Sequence, residues 1–584
     1  MELLARGTNI QENNLDPILA TGSEAQKRNY MVTLSHTTHG TISLHLQDAP
    51  NNPEAARLAL TTLLRRKGRI LDAVTNSLQT LRQNLTPEDQ ELLDELAAIR
   101  SQLAALMFKG AGDTSPEDYH QQVAELKAEA NQLENTLSRR SAEFRVESQP
   151  VTIEAVQQLI PADTALVELV QYKPYNAKKR KGETPRYAAY ILHSTGEPQW
   201  LDLGEAAPIN ETVAQFRHAL QHRSGTIQPI ARTLDEQLMQ PIREKLGDTH
   251  KLLLSPDSQL NLIPFAALVD ENNNYLVENY SITYLTSGRD LLKLQHSSPS
   301  QTAPLLVANP DYSNPGDSAP IACKDATCRV STSTGGEGTR STDSQRSTDL
   351  TQIAFNPLPG TAQEAAAIAP MLPEVTLLTE SEATENAIKQ TTRPQILHIA
   401  THGFFLEDIE LVASPAFGTS FLDQRSLYPE PDFGAIPRPQ IANPENPLLR
   451  SGLALAGFNP RQSGEDDGVL TALEAAGLNL YGTKLVVLSA CETGVGAVNN
   501  GEGVYGLRRA FTIAGAESQV MSLWKVSDEG TKDLMVSYYQ RLLENEGRSE
   551  ALRQVQLEML RSQQYQHPYF WASFIPSGDW TPMN

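Results

Sequence analysis

Two short polar turns carry the residue types of nucleophilic chemistry. Thr401-His402-Gly403 follows the apolar run QILHIA, and Cys491-Glu492-Thr493-Gly494 follows KLVVLSA. A thiolate attacks a carbonyl carbon while an imidazole handles the proton, and backbone N–H groups aimed at the oxyanion stabilise the tetrahedral intermediate. Gly403 has no Cβ, so a substrate carbonyl can approach its N–H, and the N–H of Cys491 is a second donor. Each residue alone has a plainer reading: a lone cysteine after LVVLSA is a small core residue, and a histidine at a strand end is structural. Their placement at matched strand ends, each with a glycine close behind, puts the chemical reading level with the plain one. His398 is the competing imidazole. Period-2 alternation sets it inside the strand on the same side as Ala400 and His402, which assigns it to packing or to a hydrogen bond behind the site.

What has to hold those turns is a sheet. After residue 150, apolar runs of four to eight residues alternate with helical stretches, the pattern of a mostly parallel α/β sheet. ALVELVQY (165–172), YAAYILHS (187–194) and KLLLSP (251–256) form a first group. PLLVANP (304–310), VTLLTE (375–380), QILHIATHG (395–403), KLVVLSACE (484–492) and QVMSLW (519–524) follow Pro299. This predicts two α/β units, about 150–300 and 300–584. Ligands of open α/β sheets bind beyond the carboxyl ends of the strands, where His402 and Cys491 fall. Thr361 with Glu364 reads as a capping box opening a helix after LPGT, and Gly515 reads as a helix stop.

Residues 1–150 read as a helical bundle. Thr86-Pro87-Glu88-Asp89 and Ser115-Pro116-Glu117-Asp118 each combine a capping hydroxyl, a proline at the first helical position and acids facing the helix dipole. Behind them, Leu92, Leu96, Ile99, Leu103 and Leu106, then Val123, Leu126, Ala130, Leu133 and Leu137, form two narrow apolar seams that predict an antiparallel hairpin. Leu64, Leu71 and Leu78, seven apart, predict a third helix from Pro53 to about Leu85. There is no 34-residue helical repeat here.

Residues 313–350, rich in Ser, Thr and Gly and poor in apolar residues, read as a flexible loop. Cys323 and Cys328 lie in it as a C-x4-C pair with no second pair to complete a metal site, so they read as two solvated thiols. The net charge of −22, from 48 Lys and Arg against 70 Asp and Glu, repels polyphosphate and anionic lipid and disfavours nucleic acid and membrane as partners. Three cysteines in 584 residues fit a reducing compartment. The start MELLARGTNIQENN lacks a secretory pattern, and no window has the apolar length of a membrane span. The expectation is a cytoplasmic protein.

Eight segments then carry a resemblance: LPGTAQEA (358–365), HIATHGFF (398–405), SGLALAGF (451–458), GVLTALEA (468–475), VVLSACETGVG (486–496), GEGVYGLRRAF (501–511), MSLWKVSDEGTKDLM (521–535) and HPYFWASFIPSGDW (567–580). In this order they closely resemble the CHAT domain family, of the caspase-like cysteine peptidases together with separase and the gingipains. The resemblance covers roughly residues 150–584. It implies that His402 is the catalytic histidine, Cys491 the nucleophile and the Gly403 amide an oxyanion donor. It further implies an inactive caspase-like half, 151–300, followed by an active half, 301–584. In separase the stretch similar to LWKVSDEGT supplies an acid to the pocket for a P1 arginine, and the matching position is Asp528. Asp528 also opens a helix running to about Asn545, where an acid caps free N–H groups, so both roles stand. Glu492 is a second candidate acid, or it simply faces solvent. CHAT domains commonly follow tetratricopeptide repeats, whereas here only a short helical bundle precedes the peptidase.

The expected function is a cysteine endopeptidase using a Cys–His dyad and no cofactor. Its substrate is a protein or peptide, cut after Arg or Lys if Asp528 is the pocket acid. Its latency would be relieved by an activating protein docking on the N-terminal helices. Arg329, Arg340 and Arg346 make the 313–350 loop a self-cleavage candidate if P1 is basic, against the plainer reading of a tolerated surface insertion. The alternatives are an inactive caspase-like interaction scaffold and a non-peptidase acyl-transfer enzyme.

Overall fold

A computed structural model describes residues 1–109, 114–144, 150–176, 181–295, 298–314, 353–406, 446–464, 466–491, 493–499, 501 and 503–583. Most of the 313–350 loop, with Cys323, Cys328 and its three arginines, therefore lies outside the described residues, as does Glu492.

The N-terminal region is helical: α1 (Glu2–Ala20), α2 (Glu24–Ser43), α3 (Pro53–Arg66), α4 (Arg69–Gln83), α5 (Pro87–Lys109) and α6 (Pro116–Glu143). The caps form as their residue types dictate. Thr86 Oγ1 accepts the Asp89 N–H and Ser115 Oγ the Asp118 N–H, each satisfying an amide with no partner inside its helix. Leu96 and Ile99 of α5 share a buried cluster with Leu133 and Leu137 of α6. The pairs Asp89–Arg140, Arg100–Glu134 and Met107–Tyr119 fix the two helices antiparallel.

The stretch expected as one helix from Pro53 to about Leu85 is two. It breaks at Lys67 and Gly68, where Gly68 adopts φ +67°, a left-handed conformation that a residue with a Cβ enters at a cost. The break releases Lys67 from the helical path, and its ammonium is bound by the sheet. Nζ lies 2.9 Å from Glu168 Oε2, 2.9 Å from the Leu169 carbonyl oxygen and 2.8 Å from that of Ser255.

Eleven strands form one sheet: β1 (Thr164–Tyr172), β2 (Arg186–His193), β3 (Gln199–Glu205), β4 (Lys251–Ser255), β5 (Ser281–Tyr284), β6 (Leu305–Pro310), β7 (Thr376–Glu380), β8 (Ile396–Ala400), β9 (Leu485–Ser489), β10 (Ser518–Ser522) and β11 (Phe574–Gly578). The spatial order is β3-β2-β1-β4-β5-β11-β10-β9-β8-β6-β7. Most neighbours are parallel, and the antiparallel pairs are β1–β2, β2–β3 and β10–β11. The fold is α/β, a mostly parallel sheet preceded by a helical region. Because β11 is parallel to β5 but antiparallel to β10, the early parallel strands β1, β4 and β5 run opposite in sense to β6–β10. β8 and β9 are buried along their whole length, which explains their continuous apolar sequence in place of an alternating one.

The expected capping box at Thr361 is not formed. The helix is Pro359–Ile368, and Thr361 Oγ1 bonds back to the Leu358 carbonyl while accepting the Asn309 N–H. Glu364 turns instead into the core, where it accepts from Ser489 Oγ at 2.9 Å and lies 3.0 Å from His398 Nε2. A buried carboxylate needs donors, and the Ser489 hydroxyl of the sheet beneath the helix provides one. Gly515 does stop its helix, Leu507–Ala514, at φ +108°.

Candidate active site

In the β8–β9 register Ala400 stands opposite Ser489, so His402 and Cys491 each lie two residues past a paired position. The two turns touch: a Cβ added to Gly403 would come 2.4 Å from the Cys491 carbonyl oxygen. Only glycine allows that approach. Gly403 begins a small antiparallel sheet of Gly403–Phe405, Ser451–Ala454 and Val469–Thr471. Within it the Ala454 N–H donates to the His402 carbonyl and the Leu406 N–H to the Arg450 carbonyl. By the alternation of an antiparallel ladder, the Gly403 amide therefore points away from the 451–454 strand.

His402 is half-buried and held on three sides. Its Nε2 is 2.9 Å from the Asn356 carbonyl oxygen. A carbonyl only accepts, so Nε2 carries the proton and Nδ1 is the basic nitrogen of the neutral ring. The ring stacks on Phe355, with centroids 4.3 Å apart and planes at 14°, and Tyr312 packs against it at 5.3 Å. The Tyr312 hydroxyl in turn sits 2.9 Å from Thr401 Oγ1, which donates to the Ala454 carbonyl. Burial pushes the His402 pKa below its ordinary 6.5 and the Lys525 cation adds to this, while the Asn356 carbonyl opposes it. The imidazole is thus neutral, and able to accept a proton, at neutral pH.

Cys491 is half-buried, and its turn is fastened to the end of β10. The Gly494 N–H donates to the Ser522 carbonyl at 2.6 Å, the Ser522 N–H to Thr493 Oγ1 at 3.1 Å, and Ser522 Oγ to the Ala490 carbonyl. Asp528, the first residue of the helix Asp528–Leu543, is exposed at the same rim. Tyr312 feels the charges of both Asp528 and Cys491, and the Lys525 cation acts on both His402 and Asp528. The Asp528 carboxyl lies over Gly360, whose Cβ would come 2.7 Å from that of Asp528, and accepts the Gly360 N–H. Partial desolvation of its carboxyl group, though the residue as a whole is exposed, raises its pKa, with Glu364 adding to the rise, and the Gly360 amide and Lys525 opposing it.

His398 lies beneath, fully buried, with Nδ1 3.0 Å from the Tyr539 hydroxyl and Nε2 facing Glu364. It is a packing residue within the sheet, as alternation places it. Sequence reasoning did not find Asn356, Phe355, Tyr312 or Lys525. Only Lys525 left a signal, inside the LWKVSDEGT segment; Asn356 acts through its backbone, which no residue type reports.

The electrostatics make one expectation here. Lys525→Met removes a charge that holds the His402 pKa down, so the His402 titration moves up toward 6.5. The acid limb of a pH–kcat/KM profile should shift to higher pH. An unshifted limb would show that Lys525 is screened from the ring.

Among the described residues no group of three or more His, Cys, Asp or Glu is arranged to hold a metal ion, and no helix is long and apolar enough to cross a membrane.

Comparison with known proteins places the chain. Human tetratricopeptide repeat protein 28 is 25% identical over 372 residues, 62% of this chain, and the mouse protein of the same name is 23% identical over 382 residues. The chain spans only 14% of the length of these curated relatives. Among solved structures, the Arg specific cysteine proteinase gingipain R aligns with a TM-score of 0.33 at 12% identity, covering 64% of this chain and 74% of that one. The Saccharomyces cerevisiae separase in its securin complex aligns with a TM-score of 0.38 at 8% identity, covering 98% of this chain and 40% of that one. The CHAT domain family model matches residues 228–579, more than half of the chain and all of the site just described, and the chain therefore belongs to the CHAT domain family.

Proposed function

We propose that this chain is a caspase-like cysteine endopeptidase with His402 and Cys491 as its dyad. The observation that carries the proposal is the register of β8 and β9, which sets both residues two positions beyond paired strand ends, with Gly403 packed on the Cys491 backbone. In this reading His402 Nδ1 takes the Cys491 thiol proton as Sγ attacks the scissile carbonyl, and hands it to the leaving amine as the C–N bond breaks, leaving a thioester. Water then hydrolyses the thioester with His402 as base. The Gly403 and Cys491 amides hold the oxyanion. Asn356 fixes the tautomer that leaves Nδ1 basic. The chemistry needs no cofactor, and a thiol nucleophile suits the reducing cytoplasm.

The test is digestion of a proteome-derived peptide library by the wild-type chain beside Cys491→Ala, with cleavage sites read by mass spectrometry. Cuts lost in the variant support the proposal. Absence of cuts in both, even with a protein that binds the N-terminal helices supplied, would favour an interaction scaffold instead.

We further propose that the substrate's P1 side chain is Arg or Lys, paired with Asp528. Its place at the rim, within electrostatic reach of the same groups as His402 and Cys491, supports this. A basic P1 group leaves water only if a countercharge meets it, so Asp528→Asn should lower kcat/KM for Arg peptides about 10²-fold while sparing residual cleavage elsewhere. Equal loss on every P1 residue would instead mean that Asp528 serves only to hold Gly360. Glu492 remains the second candidate acid of this proposal.

A further inference from the structure

The elbow between α3 and α4 touches the segment that follows Cys491. Its Lys67 is fully buried and bound by Glu168, by two strand carbonyls and by Ser255 Oγ at 2.6 Å. Ser255 Oγ donates onward to the Thr286 carbonyl at 2.9 Å, and Glu168 Oε1 accepts from Ser287 and Gly288. The crevice at the ends of β4 and β5, where an α/β sheet ordinarily receives a ligand, is thus filled by a side chain of the helical region.

The next residue reaches the other way. The Gly68 N–H donates to the Gly501 carbonyl at 2.8 Å. Gly501 is the tip of a β-hairpin, Ala497–Asn499 and Gly503–Tyr505, and its own N–H donates to Asp257 Oδ1 at 2.8 Å. Thr286 is wedged between, 2.9 Å from where a Gly68 Cβ would sit and 3.8 Å from where a Gly503 Cβ would sit. At its base the hairpin meets both arms of the site: Val495 and Val504 pack with Leu262 and with Phe405, two residues past Gly403. The second strand is held by α2 as well, for the Arg509 guanidinium lies 4.1 Å over the Tyr505 ring and pairs with Glu24 at 2.8 Å.

We propose that Lys67 and Gly68 are positioning residues for the Cys491 turn: the elbow, anchored by Lys67 in the β4–β5 crevice, holds the 497–505 hairpin through Gly501, and the hairpin sets the cluster of Val495, Val504 and Leu262 against Phe405. The helical region then acts on the dyad through the hairpin, by the Gly68–Gly501 hydrogen bond and the Glu24–Arg509 pair. This rests on the peptidase reading for its catalytic consequence, but not for its structural one.

The test uses the full chain with Gly68→Ala, which pushes the elbow off Thr286, and Gly68→Ala with Thr286→Ser, which removes the methyl it strikes and keeps the Thr286 carbonyl. Arg82→Ala is the comparison, since Arg82 joins α4 to the Gly477 carbonyl and to that of Ala514, at the opposite end of the helix Leu507–Ala514 from the hairpin. Amide exchange of residues 495–506 and the rate of Cys491 alkylation, resolved by peptide from Cys323 and Cys328, are read together with kcat and KM. In Gly68→Ala we expect faster exchange confined to 495–506, an altered Cys491 alkylation rate, and kcat lowered about tenfold with KM held. The added Thr286→Ser should restore them in part, since it relieves the clash but not the left-handed φ of +67°, and Arg82→Ala should change none. Unchanged exchange at 495–506 in Gly68→Ala overturns the proposal whether or not the chain cleaves peptides. So does faster exchange with unaltered Cys491 reactivity and kcat. If no cleavage is found at all, exchange and alkylation still decide the coupling while the peptidase reading fails separately.

Discussion

Cys491→Ala and His402→Ala should each lower peptide cleavage at least about 10⁴-fold, and the double variant should be no worse than either single one. The thiol and the imidazole act on one proton and one carbonyl in sequence, so losing either leaves the other with nothing to assist. Gly403→Ala belongs to the same set for a steric reason. Its Cβ would sit 2.4 Å from the Cys491 carbonyl oxygen, which no Cβ tolerates, so the two turns separate and the loss should be about 10²-fold. Initial rates on a single fluorogenic peptide measure all four. Additive losses in the double variant would mean that the two residues serve different steps or different sites.

The largest effect on stability should come from Lys67→Met. Methionine fills similar volume but leaves Glu168, 1% exposed at its side chain, without its countercharge, and leaves carbonyls of Leu169 and Ser255 without the ammonium donor. Removing one partner of a buried ion pair costs about 3–5 kcal/mol, far above the effect of a surface pair such as Lys251–Asp163, about 0–1 kcal/mol. Urea unfolding of Lys67→Met beside Lys251→Met makes the comparison. Similar shifts in the two midpoints, with unchanged slopes, would show that water reaches Glu168 in the variant.

Where the sequence spoke and where it was silent follows from what each residue does. β8 and β9 were legible because strands buried on both faces read as unbroken apolar runs, and the polar turns after them stood out. The opposite senses of the two strand sets were not, since an apolar run looks the same in either direction. The helix break at Lys67 was hidden because Leu64, Leu71 and Leu78 keep their spacing across it, and a lysine beside a glycine reads as a solvated face. Glu364 was misread because a carboxylate three residues after a threonine has two equally local uses, and only the Ser489 hydroxyl and the His398 ring decide between them. His402 and Cys491 were legible as a pair, but the orientation of the imidazole depends on a carbonyl at Asn356 that any residue could present.

The joining strand β11 has a consequence for biosynthesis. It lies between β5 and β10, yet it comes last in chain order among the eleven strands of the sheet. Until residues 574–578 leave the ribosome, β5 and β10 both present unpaired backbone edges, the kind that recruit strands from other chains. The β5 edge thus waits for a strand far along the chain while the β10 edge waits only for the next one, and a chaperone that shields them matters most between the synthesis of β10 and that of β11.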